Sequence, residues 1–218
     1  MDSPDPEQQK YIAAARRAQL DERMASIVNG ALKINSNIDI GFGPCGKVGA
    51  FFSPQRQAIA ICSEFVEMIG KTAFNDKAFM MKLPKEQFAR AIDGLLWGIY
   101  FHELAHAVIY INNAPMTGRE EDVADQFSLW FAVNFVDLTK NPMITPTIWF
   151  WRQLAKERNL PAMSQDPLKA FLSDEHSLDE PRIYNMACWA LGTNTAGGVI
   201  AARFAGLTQA RAQRCPAE

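Results

Sequence analysis

The sequence predicts an α+β fold: a small, mostly antiparallel sheet near the N-terminus, packed on one long apolar helix and followed by a mainly helical C-terminal part. Three observations predict it. Short runs between positions 31 and 62 alternate apolar and polar residues. Apolar residues recur at helical spacing from Phe88 to Ile111. Beyond that, each proline- or glycine-rich break is followed by another helical pattern.

Taken in order, residues 7–29 read as one helix, with Ala, Ile and Leu spaced among Gln, Arg and Glu. "ALKINSNIDIGF", "KVGAFF" and "QAIAIC" read as three strands, the last two joined by a hairpin turn at Ser53-Pro54-Gln55-Arg56. A helix and loop occupy 64–79, and Pro84 opens a long helix in whose first turn its ring is tolerated. "NNAPMTG" ends that helix. Further helices are expected over 119–136, 147–159, after Pro181, and in "GGVIAARFAGLTQARAQ". The organisation expected is an N-terminal helix and tail (1–29) leading into a single domain (30–218).

Composition narrows the function classes. The chain has 218 residues, 48% hydrophobic and 21% charged, ample for a core. With a net charge of −2 and no basic run, nucleic acid is not an expected partner. The richest apolar stretch, Leu95–Ile111, is interrupted by His, Glu and His, so no integral membrane segment is expected. "MDSPDPEQQK" lacks the basic and apolar regions of a secretory signal. A mature periplasmic or secreted protein is expected, with the cytoplasm as the alternative. Cys45, Cys62, Cys188 and Cys215 permit two bridges, and Cys45 and Cys62 flank the hairpin, where a bridge is plausible. Four ordinary buried thiols are the competing reading.

The chemistry concentrates in "GIYFHELAHAVIY", residues 98–110. On a helix, His102 and His106 share a face and can reach one ion, while Glu103 sits beside them. This is the HExxH arrangement, in which the histidines bind zinc and the glutamate is the general base. By average composition such a run arises by accident in roughly one chain per few hundred. Catalytic zinc takes three protein ligands and leaves one position open. "TGREEDVADQF" supplies the third: Glu121 as ligand, with Asp125 one turn on, accepting the distal N–H of a ligating histidine. Thr117 and Glu120 read as a capping box, which gives Glu120 a duty at the helix start. Glu120 and Asp122 are the fallback ligands, and the bland alternative is acids favoured by a helix N-terminus. A di-iron bundle would need a second Glu-x-x-His, but His176, the remaining histidine, has Ser173 at that offset.

A second cluster, "SDEHSLDEPRIYN" at 173–185, precedes a helix. A zinc hydrolase needs a donor for the developing oxyanion, and His176 is the candidate, with Tyr184 a weaker one. Arg182 is expected to pair with an acidic neighbour and order the loop. The alternative is a solvated acidic loop.

Together, "HELAH", "REEDVADQF", "DEHSLDEPRIYNMACW" and a near-terminal "RC" resemble a bacterial metallopeptidase family long known as a domain of unknown function. "VGAFFSPQRQAIAIC" is similar to that family's hairpin, and the resemblance runs over residues 30–215. More broadly the pattern is similar to zincin peptidases with a glutamate third ligand. The resemblance implies a zincin-like fold, one Zn2+ per chain on His102, His106 and Glu121, and Glu103 as base. It also implies Asp125 behind the ligands, His176 at the transition state, export from the cytoplasm, and an edge strand, "KVGAFF", that binds peptide backbone.

The leading expectation is a zinc metallopeptidase acting on a peptide or protein. A zinc-binding protein with little turnover, a scaffold, is the second class, and a structural zinc domain ranks last because no cysteine neighbours the histidines. Trp149, Phe150 and Trp151 could line a specificity pocket, although aromatic residues at such spacing are more often core.

Overall fold

In the computed structural model the described residues are 5–158 and 179–217. The chain opens with α1 (Pro6–Arg17) and α2 (Leu20–Ala31). Asp5 caps α1 by accepting from the Glu7 N–H at 2.8 Å, and Arg16 and Arg17 occupy its last turn, where positive charge suits the helix dipole. The single helix expected over 7–29 is therefore two, parted where Gln19 turns left-handed (φ 49°). Helix α1 packs on the helix after the sheet, and both α1 and α2 touch the first strand. Leu20, Met24 and Val28 of α2 are buried in the same core as the sheet.

Three strands follow: β1 (Asp39–Gly43), β2 (Ala50–Ser53) and β3 (Ala58–Cys62). Their order is β1-β3-β2, so β2 is an edge. β2 and β3 form the expected antiparallel hairpin, with Phe52 opposite Ile59, whereas β1 runs parallel to β3, making the sheet mixed. The strand expected from residue 31 is confined to its last residues, because Ala31 still belongs to α2. Ile59 and Ile61 are buried while Ala58 and Ala60 are only partly covered, the alternation of a strand with one face on the core.

Helix α3 (Ser63–Asn75) and a 3-10 turn at Met80–Lys82 lead to α4 (Lys85–Asn112). At 28 residues α4 is about 42 Å long and runs through the core. Pro84 sits just before the first turn, and Asn113 closes the helix in the left-handed conformation. Helix α5 (Glu120–Phe135) lies antiparallel to α4: Glu120 meets His106, Asp125 meets His102, and the Ser128 hydroxyl donates to the Gly98 carbonyl at 2.8 Å. Helix α6 (Ile144–Arg158) crosses α4 at its glycines. A Cβ on Gly94 would stand 2.1 Å from the Pro142 carbonyl oxygen, and one on Gly98 would stand 2.6 Å from the Thr147 hydroxyl.

Helices α7 (Asp179–Gly192), α8 (Ala196–Ala205) and α9 (Gln209–Ala212) complete the chain, with a 3-10 turn at Cys215–Ala217. The single C-terminal helix expected is broken at Gly206 (φ 72°), after which Thr208 caps α9. The four cysteines form two disulfides, Cys45–Cys62 and Cys188–Cys215, rather than four thiols. Two bridges suit an oxidising compartment. No helix among the described residues is long and apolar enough to cross a membrane.

Candidate metal centre

His102 and His106 project from one face of α4, where the four-residue spacing brings their Nε2 atoms to 3.2 Å. Glu121, in the first turn of α5, closes the group, with Oε2 3.0 Å from His102 Nε2 and Oε1 3.4 Å from His106 Nε2. One ligand atom from each residue lies within 4.8 Å of the others.

The outer nitrogens decide what these inner atoms can be. Asp125 Oδ1 lies 2.9 Å from His102 Nδ1, and Arg182 donates to both Asp125 oxygens at 2.7 Å. Burial alone would raise the Asp125 pKa, but the Arg182 charge and the bonds from Arg182 and His102 hold it down to about 2. Asp125 is therefore an acceptor, and His102 Nδ1 must carry the proton. His106 Nδ1 faces Glu120 Oε1 at 2.8 Å, the geometry in which a carboxylate oxygen accepts an Nδ1–H. Two neutral imidazoles so arranged turn both Nε2 lone pairs, and a Glu121 oxygen, into one space.

Three lone-pair donors converging in a half-buried site suit a cation between them. In the bare protein a proton serves: burial presses the His102 pKa down, yet the bonds to Asp125 and Glu121 outweigh it and raise the value to about 9. A metal fits as well. Ligand atoms about 2.0–2.2 Å from a tetrahedral ion are about 3.3–3.5 Å apart. The 3.0–3.4 Å separations here are close to that spacing.

Glu103, 8% exposed, points from α4 toward the sheet, where its Oε2 accepts the Phe52 N–H of β2 at 2.9 Å. A cavity of about 320 Å³ opens beside it, lined by His102, Glu103, Glu121 and Asp125 and reaching Ile99, Thr147, Trp151 and Met186. Arg182 closes its floor, stacked 3.6 Å over the Trp151 ring. Of the aromatic trio, Trp149 and Phe150 are core and Trp151 lines this cavity.

The structure thus draws together His102, Glu103, His106, Glu121, Asp125 and Arg182. Arg182 pairs with Asp125, an acid 57 residues away in sequence. His176 lies outside the described residues. Tyr184 is exposed on α7 and does not line the cavity, and Asp122 is not in the ligand cluster. The capping-box reading is overturned: Arg119 is the N-cap residue of α5, no side chain caps it, and Glu120 turns to His106. The helix begins two residues too late for Thr117 to be its N-cap. Sequence reasoning also missed Asp179, buried in the cavity wall, and the Phe52 N–H on Glu103. The second has no side-chain signal, because the donor is backbone.

No curated protein and no solved structure matches the chain. One family model does, over residues 1–218, and its description, "Putative metallopeptidase", is consistent with a buried carboxylate set beside three converging metal donors. The chain is a member of that family.

Proposed function

We propose that the protein is a zinc-dependent peptidase in which His102, His106 and Glu121 hold one Zn2+ and Glu103 is the general base. The observation that carries this reading is the convergence of three lone-pair donors beside a buried carboxylate. Two imidazoles and one carboxylate suit zinc, and three protein ligands leave a position open for chemistry. When bound, zinc would acidify a water and polarise the scissile carbonyl.

The chain's own residues do the rest. The Glu103 carboxylate takes the proton of the attacking water and returns it to the leaving amine. Its bond from Phe52 fixes its rotamer and ties it to β2, the edge strand on which an extended peptide can add. Asp125, clamped by Arg182, and Glu120 hold the two imidazoles in the tautomer that presents Nε2 to the ion. His176 is assigned the donor for the oxyanion. Two disulfides favour a periplasmic or secreted site of action. The zincin-like fold and the HExxH-plus-Glu class belong to this same reading, with residues 30–218 as its domain.

Elemental analysis of the protein purified without chelator, beside His106→Ala, tests the metal. About one zinc per chain, lost in the variant, is expected. Digestion of a broad peptide library then tests the chemistry, with Glu103→Gln as control. Zinc without cleavage would leave a binding protein, and no metal even after zinc is offered would end the peptidase reading.

A further inference from the structure

A second cavity, about 490 Å³, is lined by His106, which the one described above does not touch. Its walls are largely apolar: Phe52 of β2, Ile109 and Tyr110 from the last turn of α4, and Met116 from the connector to α5. Phe52 and Tyr110 stand with ring centroids 5.8 Å apart, and Tyr110 is 55% exposed although it bears a large apolar ring. The imidazole and the carboxylate in the lining, His106 and Glu120, are bonded to each other.

The position of this cavity matters as much as its lining. One wall is the ring of His106, a residue of the ligand cluster. Another is Phe52, whose amide holds Glu103. A peptide laid along the edge of β2 with its scissile carbonyl at the cluster has a neighbouring side chain with nowhere else to go on this side. Strand addition supplies affinity through main-chain bonds and leaves specificity to pockets for alternate side chains. Resting on the peptidase reading, we propose that this cavity is a specificity seat for a large apolar or aromatic side chain beside the scissile bond. The Glu120 carboxylate at its rim excludes acidic side chains.

The test measures binding, so it does not depend on turnover. Fluorescent peptides carrying Phe, Leu, Gly or Asp at one varied position, the rest constant, are titrated onto zinc-loaded Glu103→Gln protein. The same titration is run on Glu103→Gln carrying Tyr110→Lys, and again on Glu103→Gln carrying Met116→Lys. Both added sites are partly exposed, and circular dichroism and zinc content check that each variant is folded. Phe and Leu peptides should bind at least tenfold more tightly than Gly or Asp peptides, and either lysine should shrink that margin at least tenfold and favour Asp. Equal binding of Phe and Gly peptides, or a margin that both lysine variants leave intact, overturns the seat. If the margin holds but the unaltered enzyme cleaves nothing, hydrolysis fails and the seat stands. If it cleaves but shows no margin, the seat alone fails.

Discussion

The Glu103 carboxylate accepts a hydrogen bond from the Phe52 backbone N–H, across 51 residues of sequence, at 2.9 Å. The donor is main chain, so no substitution at Phe52 other than proline removes it, and a glutamine at 103 could keep it through its carbonyl oxygen. Glu103→Gln should therefore fold and bind metal as before while kcat falls by about 10²–10⁴. Thermal unfolding, zinc content and peptide turnover measured on one preparation would show it. Undiminished turnover would remove Glu103 from the chemistry.

Asp125 and Arg182 form a buried ion pair with two 2.7 Å bonds, and Asp125 also holds His102. Removing one partner strands a charge in the interior. Asp125→Asn and Arg182→Met should each cost about 3–5 kcal/mol in urea unfolding, and the double variant should cost clearly less than the sum. Each should also weaken metal binding about 10–100-fold in competition with a chromophoric chelator. Strictly additive stability losses would mean the two residues act independently.

Thr117 offers a sharp contrast. A side chain capping α5 would be worth about 1 kcal/mol, but none does so here. Thr117→Ala should leave the unfolding free energy within about 0.5 kcal/mol of the parent. Glu120→Gln should instead lower metal affinity, by less than Asp125→Asn does, because Glu120 is 43% exposed and water can replace it. A large loss of stability in Thr117→Ala would restore the cap.

Asp76 predicts an acid limb in stability. It accepts from Trp149 Nε1 at 2.6 Å and from the Ala78 and Phe79 N–H groups at the end of α3. Burial pushes its pKa up, but these bonds outweigh it and hold the carboxyl below its usual 3.8. A depressed folded value means that its contribution is complete above the unfolded pKa and disappears as pH falls through the folded one. Thermal midpoints taken from pH 5 downward should fall more steeply for the parent than for Asp76→Asn, which starts lower. Parallel curves would show that Asp76 plays no part.

What the sequence disclosed follows from how local each relationship is. His102, Glu103 and His106 lie within one helix, where spacing alone fixes a shared face, and Glu121 and Asp125 lie on the next, at the first acids after the connector. That Asp125 would approach one of the two histidines was legible for that reason; which one was not. Glu120 was not, because a capping pattern competed for it and the helix start, two residues later than the pattern needs, decided the matter. Arg182 reaches Asp125 across 57 residues, and no periodicity carries that distance. The parallel pairing of β1 with β3 was hidden for a related reason: alternation marks a strand's faces, not its direction. The division between α1 and α2 turns on one left-handed glutamine, which nothing in residue type announces.

The close crossings at Gly94 and Gly98 have a consequence for how this molecule can change. Helices α4, α5 and α6 are keyed together one and two turns before His102, by backbone contact and by the Ser128–Gly98 bond. The rotation that points both imidazoles at Glu121 is set there, outside the connector at 113–119. That connector nonetheless supplies Asn113, Ala114 and Met116 to the second cavity. Replacing 114–117 with a Gly-Ser run should leave metal affinity near the parental value while altering which peptides bind. The connector thus shapes one wall of the second cavity without supplying a member of the ligand cluster.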